Sequence, residues 1–144
     1  MYEMEIDLYS VSHGYGFCVA KGLRVFFRIE DFHRESSEEP LPICGEPVSI
    51  DRVIGGEKSP RAASVQRLVR PQQHTGRVKS FDTHKGWGFI ESGDTVYFLH
   101  RSDLTVPFVP IIGSRVTFYA GIRRDKPRAC YVSPPGKVED SWRT

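Results

Sequence analysis

An internal repeat with an offset of 72 residues is the feature that most constrains the fold. The segment HGYGFC at residues 13–18 aligns without a gap with KGWGFI at residues 85–90, and VFFR at residues 25–28 aligns with YFLH at residues 97–100. Self-similarity at a fixed spacing indicates that one structural unit occurs twice. The chain has 144 residues, which leaves each unit enough length for one small domain.

Both copies are typical of β structure, because apolar and aromatic residues recur two apart between turn-rich segments. Five short strands in each copy indicate an all-β fold of two tandem five-stranded barrels. The first copy predicts strands near residues 3–9, 14–20, 23–28, 46–53 and 62–69, and the second predicts strands near residues 76–81, 86–92, 95–100, 114–121 and 128–133.

Composition places the domain boundaries between these strands. We expect a first domain at residues 1–69, a polar linker that holds a proline at 70–74, a second domain at 75–134 and a tail at 135–144. The loop HRESSEEP at residues 33–40 is strongly charged, and we expect it to be mobile.

The two halves differ in charge. Residues 1–74 carry 9 Lys and Arg against 11 Asp and Glu, whereas residues 75–144 carry 11 against 7. If the chain binds a polyanion, the second half should therefore dominate the binding.

Aromatic side chains of the second copy are predicted to share one face of two neighbouring strands. Two-residue spacing puts Trp87 with Phe89, and Phe98 with His100, on the same side of the sheet. Lysine and arginine residues surround these positions in the sequence. Flat rings bordered by cations are what single-stranded nucleic acid requires, since every base has a π face and every nucleotide a phosphate.

The same rings could instead form a hydrophobic core. Against this, alternating residues already supply an apolar inner face, namely Val78, Ile90, Tyr97, Leu99 and Val116. The glycines between the rings, Gly86 and Gly88, also favour a binding surface over a core, because a strand glycine often marks the close approach of a ligand or of another backbone.

These residues match a family. Residues 75–133 resemble the cold-shock domain, the five-stranded OB-fold barrel of bacterial cold-shock proteins and Y-box proteins. The resemblance is carried by GxVKxF at residues 76–81, KGWGFI at 85–90, FLH at 98–100 and GxxVxF at 113–118.

The resemblance implies that the second barrel binds single-stranded RNA or DNA by base stacking. Taken with the flanking cations and the apolar loop at residues 105–110, it predicts a site made of Lys79, Phe81, Lys85, Trp87, Phe89, Phe98, His100, Arg101 and Phe108. Two positions depart from the family, which usually has Trp at Ser80 and often Phe at Arg101. The first change removes a ring, and the second offers a guanidinium plane in its place.

The first copy resembles the family only through the repeat. Histidine 13 stands where the motif lysine belongs, and an aspartate stands at the position of Lys79. We assign this copy a secondary site for nucleic acid or protein, made of Tyr9, Tyr15, Phe17, Phe26 and Arg28.

Two functions remain open at this point. One is a single-stranded nucleic-acid-binding protein, such as an RNA chaperone, an antiterminator or a single-stranded-DNA-binding protein that acts in transcription regulation. The alternative is an adaptor whose acidic first barrel binds a protein of the transcription or translation machinery while the second barrel binds RNA.

Several classes of function find no support in the sequence. The five histidines are scattered, and no motif of a hydrolase, a zinc protease or a phosphate-binding loop is present. We therefore expect no enzymatic activity, no catalytic residue, no cofactor and no metal site. Three widely spaced cysteines, an acidic start without a secretory signal and no apolar run of about 18 residues lead us to expect a cytoplasmic protein that does not enter a membrane.

Overall fold

Strands dominate both halves of the computed structural model, which describes residues 2–56, 58 and 60–134. The first half contains β1 (Tyr2–Ser10), β2 (Tyr15–Ala20), β3 (Leu23–Arg28), β4 (Pro47–Ile54) and β5 (Arg61–Arg67). The second half contains β6 (Gln73–Asp82), β7 (Trp87–Ser92), β8 (Thr95–His100), β9 (Arg115–Arg123) and β10 (Lys126–Ser133). A single 3₁₀ turn follows the third strand of each half, at Ile29–Asp31 and Arg101–Asp103.

Each half closes into its own barrel. The first has the strand order β1-β2-β3-β5-β4, and the second has the equivalent order β6-β7-β8-β10-β9. Neighbouring strands are antiparallel except for β3 with β5 and β8 with β10, which are parallel. A five-stranded barrel with this connectivity is an OB fold. The prediction of two tandem OB-fold barrels is confirmed.

The chain divides into two compact units, Met1–Pro71 and Gln72–Thr144. Strand β6 begins three residues earlier than expected, because Gln73 and His74 pair with Tyr119 and Phe118 on β9. Two residues of the segment expected to be a linker thus belong to a strand. The predicted tail at residues 135–144 lies outside the described residues.

Alternating residues of the strands fill each barrel. The core of the first barrel consists of Met4, Ile6, Cys18, Val25, Phe27, Phe32, Val48, Ile50, Ala62 and Val65. The core of the second consists of Val78, Ile90, Leu99, Val116, Phe118, Ala129 and Val132, with Tyr97 half-buried against it. The predicted inner face is therefore the core, which leaves the outer face free for the rings. Burial also raises the pKa of the Cys18 thiol to about 12, which makes this cysteine a packing residue.

A glycine in the second strand of each barrel permits a close approach of backbone. A Cβ atom on Gly88 would lie 2.0 Å from the carbonyl oxygen of Ser80, and one on Gly16 would lie 2.3 Å from that of Leu8. The neighbouring strand, and not a ligand, occupies the space that these glycines leave. The pairing register shifts at the same point in both barrels, which places a β-bulge at Asp7 and at Lys79.

The loop expected to be mobile is tied to the first barrel by Arg67. The Arg67 side chain is 6% exposed, and its guanidinium donates to both carboxylate oxygens of Glu46 at 2.8 and 3.1 Å. It also donates to Glu39 at 3.2 Å and to the carbonyl oxygen of Leu41 at 2.8 Å. The acidic residues of this segment thus serve partly to hold the loop in place.

Candidate nucleic-acid interface

Four rings lie side by side on the outer face of β7 and β8. Adjacent centroids are 6.0 Å apart for Trp87 and Phe89, 5.9 Å for Trp87 and Phe98, 6.0 Å for Phe89 and Phe98, and 6.3 Å for Phe98 and His100. Antiparallel pairing explains the arrangement, because Phe89 lies opposite Phe98 and Trp87 lies opposite His100. We call these four residues the ring face of the second barrel. The structure brings together the four residues for which the sequence predicted base stacking.

The ring face is accessible, and cations border it. Trp87 is 37% exposed, and Lys85 Nζ lies 5.8 Å from the centroid of its ring. On the other side, Arg128 Cζ lies 5.3 Å from the centroid of Phe98. An exposed apolar surface next to positive charge fits the bases and the phosphates of a nucleic-acid strand.

Arg128 is held in position by Asp103. The Arg128 Nε and Nη2 atoms donate to Asp103 Oδ2 at 2.9 and 2.8 Å. Burial raises the pKa of Asp103, and the nearby Arg128 guanidinium opposes this effect only in part. The two-pronged contact fixes the plane of the guanidinium beside Phe98.

His100 has one ring nitrogen engaged by the protein. Its Nδ1 atom accepts a hydrogen bond from the backbone N–H of Ser102 at 3.1 Å and lies 2.8 Å from Ser102 Oγ. Because Nδ1 is an acceptor, the neutral ring carries its hydrogen on Nε2. His100 can therefore offer a donor to the edge of a base.

Two further predicted cations lie beside the ring face. Lys79 is exposed at the β6 bulge, with its Nζ atom 3.7 Å from the carboxylate of Glu91, and bulges commonly redirect a side chain near a site. Arg101 is exposed and packs across Gly86, where a Cβ atom would lie 2.8 Å from Arg101 Nε. Gly86 has a φ of +80°, a conformation that suits glycine.

The remaining two predicted residues lie partly in the core. Phe81 and Phe108 are half-buried and pack against the core of the second barrel. Each therefore offers less of its ring to a ligand than Trp87 does. Ser80, at the position where the family usually has a ring, is also half-buried.

The structure adds residues that the sequence did not single out. A cleft of about 620 Å³ adjoins the ring face and is lined by Phe89, Val96, Phe98, Arg123, Arg124, Lys126, Pro127 and Arg128. Its cations come from the β9–β10 hairpin, whose two turn residues, Arg124 and Asp125, have φ of +53° and +64°, as a tight hairpin turn requires. The run RRDKPR at residues 123–128 was the available signal. What the sequence did not show was the parallel pairing that sets Arg128 beside Phe98.

The first barrel has a ring face of its own, made of Tyr15, Phe17 and Phe26. Their centroids are 5.2 Å apart for Tyr15 and Phe26, 5.8 Å for Phe17 and Phe26, and 6.3 Å for Tyr15 and Phe17. Arg28 is exposed on β3 opposite Tyr15. A second arginine, Arg24, lies over the ring of Phe17.

Tyr9 does not join this face. It packs against the core of the first barrel and stacks on Phe27 with centroids 6.1 Å apart. Burial also raises its pKa, as expected for a phenol held partly away from water.

Within the described residues, no group of three or more His, Cys, Asp or Glu side chains could hold a metal ion. The same part of the chain contains no helix long and apolar enough to cross a membrane.

Comparison with known proteins gives partial similarities. No family model matches the chain. Among curated proteins, the probable dipeptidyl-aminopeptidase B of Aspergillus terreus is 25% identical over 118 residues, a match that covers 77% of this chain and 13% of the peptidase. The chain thus spans a small part of that relative.

Two solved structures resemble it over most of its length. Drosophila Unr CSD456 is 21% identical with a TM-score of 0.39, and the match covers 94% of this chain and 62% of that one. A multidomain protein with nucleic acid binding domains from Streptococcus pneumoniae is 15% identical with a TM-score of 0.34, over 99% of this chain and 47% of that one. The chain spans less than two thirds of either structure.

Proposed function

We propose that the chain binds single-stranded nucleic acid, RNA or DNA, through the second barrel. The observation that carries the proposal is the ring face Trp87, Phe89, Phe98 and His100, which lies on the outer face of the barrel with Trp87 exposed and is bordered by Lys85 and Arg128. The resemblance of residues 75–133 to the cold-shock domain agrees with this function. We place the protein in the cytoplasm, as an RNA chaperone, an antiterminator or a single-stranded-DNA-binding protein.

Stacking supplies enough free energy for useful affinity. Each stacked base contributes roughly 1–3 kcal/mol, and a Kd of 1 μM corresponds to about 8.2 kcal/mol. Three or four stacked bases, less the cost of ordering the strand, give binding near the micromolar range.

Phosphate contacts supply the rest of the binding free energy. Arg123, Arg124 and Lys126 extend the positive surface from the ring face along the cleft, so that a strand leaving the rings meets cations. Each phosphate contact steepens the dependence of affinity on salt by about 0.7 in log–log slope for a single strand.

The proposed activity is binding without catalysis. His100, Ser102 and Asp103 are close in sequence, but the Asp103 carboxylate bonds to Arg128 and the His100 Nδ1 atom bonds to Ser102. A catalytic triad would need the carboxylate to orient the imidazole.

Fluorescence titration tests the proposal. Trp142→Phe makes Trp87 the single emitting tryptophan, and an oligonucleotide of about ten nucleotides should quench its emission on binding. Affinity should fall as salt rises, and unlabelled poly-U, poly-dT and duplex DNA should compete in different degrees. Emission that responds to neither oligonucleotide nor salt would contradict the proposal.

Tyr119→Ala provides a matched control. Tyr119 is a half-buried aromatic residue on β9, a strand that contributes none of the ring face. Its removal should leave quenching and affinity unchanged, provided that circular dichroism shows an intact fold.

The adaptor is a second candidate, favoured by the acidic balance of the first half, where 11 Asp and Glu oppose 9 Lys and Arg. In that case the first barrel binds a protein of the transcription or translation machinery. Capture experiments with the intact chain should then identify a partner that is retained when the ring face of the second barrel is mutated. Loss of the partner after that mutation, or after nuclease treatment, would assign the capture to nucleic acid.

A further inference from the structure

An arginine of the first barrel covers one of its own rings. Arg24 Cζ lies 4.2 Å from the centroid of Phe17, the distance of a stacked guanidinium. The Arg24 Nη1 atom donates to Asp7 Oδ2 in a salt bridge. Phe17 therefore already has a flat, delocalised group on its face.

The second barrel has different residues at both positions. The repeat aligns Asp7 with Lys79 and Arg24 with Val96, and the β-bulges at Asp7 and Lys79 show that the alignment holds in the structure. Val96 lines the open cleft next to Phe89. The stacked guanidinium of the first barrel thus stands where the second barrel has a short aliphatic side chain beside a cleft.

We propose that the Asp7–Arg24 pair occupies the stacking position at Phe17 and weakens the binding of bases to the ring face of the first barrel. This inference rests on the proposed function of the second barrel. A guanidinium is planar and stacks on aromatic rings much as a base does, so a base must displace it. The Asp7 carboxylate adds repulsion where Lys79 would attract a phosphate.

The expected size of the effect is modest. Both side chains of the pair are partly exposed, at 48% for Arg24 and 33% for Asp7, so water screens their attraction. We expect the pair to weaken binding of a base at Phe17 by about tenfold, and exchange of Asp7 for lysine to add a phosphate contact. Together these changes should bring the first barrel into a measurable range.

Calorimetric stoichiometry of the intact chain tests the proposal. An oligonucleotide of about six nucleotides, near the lower end of the site sizes of OB folds, should bind the unchanged protein at one site per chain. The variant Asp7→Lys/Arg24→Val, which installs the residues of the second barrel, should bind two. Backbone amide shifts measured by NMR should place the new site on β2 and β3.

The possible stoichiometries distinguish the role of the Asp7–Arg24 pair from the proposed function of the second barrel. One site in both proteins, or two sites in the unchanged protein, would overturn the role of the pair and leave the function of the second barrel intact. No site in the unchanged protein and one on the first barrel of the variant would overturn the proposed function and support the pair. No site in either protein would overturn both.

Three further variants guard against misreading the result. Asp51→Lys/Arg52→Val makes the same change in net charge at exposed positions of β4, and it should leave one site. The reciprocal exchange Lys79→Asp/Val96→Arg should weaken binding by the second barrel at least tenfold. If the double variant proves unstable, Arg24→Gln offers a milder change. It should restore part of the binding by the first barrel.

Discussion

The two barrels carry nearly the same ring arrangement but different charged residues around it. Phe17 lies opposite Phe26 in the first barrel, and Phe89 lies opposite Phe98 in the second, with centroids 5.8 and 6.0 Å apart. Because the strand registers are equivalent, cross-strand pairing brings the two rings of each pair to a similar distance. A cluster of rings on β2 and β3, or on β7 and β8, is thus a consequence of the fold, and whether it binds nucleic acid depends on what borders it.

The loops after the third strands also differ between the two barrels. In the first barrel the loop is acidic and bonded to Arg67. In the second it is apolar, with Val109, Ile111 and Ile112 between 64% and 69% exposed. The same topology therefore supports one loop through a buried ion pair and leaves the other with apolar side chains in water.

The largest expected effect comes from removing rings. Trp87→Ala/Phe98→Ala should weaken oligonucleotide binding by about 2–6 kcal/mol, since each lost base stack is worth roughly 1–3 kcal/mol. The equivalent change in the first barrel, Tyr15→Ala/Phe26→Ala, should alter affinity less than about twofold, because the Asp7–Arg24 pair already weakens the binding of bases to that face. Fluorescence anisotropy with a labelled oligonucleotide measures both. Similar losses from both double variants would show that the barrels share the binding.

The next effect concerns the stability that Arg67 gives to the first barrel by holding its loop. Arg67→Met should destabilise the first barrel by about 3–5 kcal/mol, because it leaves the Glu46 carboxylate buried without its partner. Glu46 is 10% exposed, so water cannot replace the lost hydrogen bonds. Native-state hydrogen exchange, which resolves each barrel separately, is the suitable measurement.

Arg52→Met is the matched control for this change. Arg52 is exposed on β4 of the same barrel, so its replacement should change protection by less than about 0.5 kcal/mol. Equal effects of the two variants, or a loss of protection that spreads to β6–β10, would contradict the role assigned to Arg67.

The strands could be predicted from the sequence to within three residues at every end. The reason is physical: side chains alternate between core and outer face, and glycines and polar residues mark the turns. The early start of β6 escaped prediction because it depends on pairing between Gln73 and Tyr119 on the distant strand β9. Local patterns do not contain that information.

The ring face could be predicted for the same reason as the strands, but its surroundings could not. Arg128 reaches Phe98 through a parallel pairing between strands distant in sequence, and Arg24 lies on Phe17 through a side-chain conformation. The sequence showed which cations the first copy lacks, namely those at the positions of Lys79 and Lys85. It did not show that an arginine of the same barrel covers a ring.

The smallest expected effect is a pH dependence that the second barrel owes to Asp103. An ordinary Asp carboxyl has a pKa near 3.9, and burial raises the pKa of Asp103 above that value despite the Arg128 guanidinium. At a pH between the ordinary pKa and the raised pKa, the Asp103 carboxyl has lost its proton in the unfolded chain but still holds it in the folded chain. The stability that Asp103 contributes is therefore fully present below about pH 3.9 and is lost as the pH rises through the raised pKa.

Asp103→Asn should remove this dependence, since the amide does not ionise. As the pH rises from the ordinary pKa of Asp through the raised pKa of Asp103, the variant should become more stable relative to the unchanged protein. Above that range, the difference in unfolding free energy between the two proteins should be constant. Urea unfolding of the second barrel, followed at Trp87 in the Trp142→Phe background, measures it. Asp31→Asn, at the equivalent position of the first barrel, should leave the Trp87 transition unchanged. A shift in the opposite direction would mean that the ion pair with Arg128, at 2.8 Å, outweighs the burial of the carboxyl.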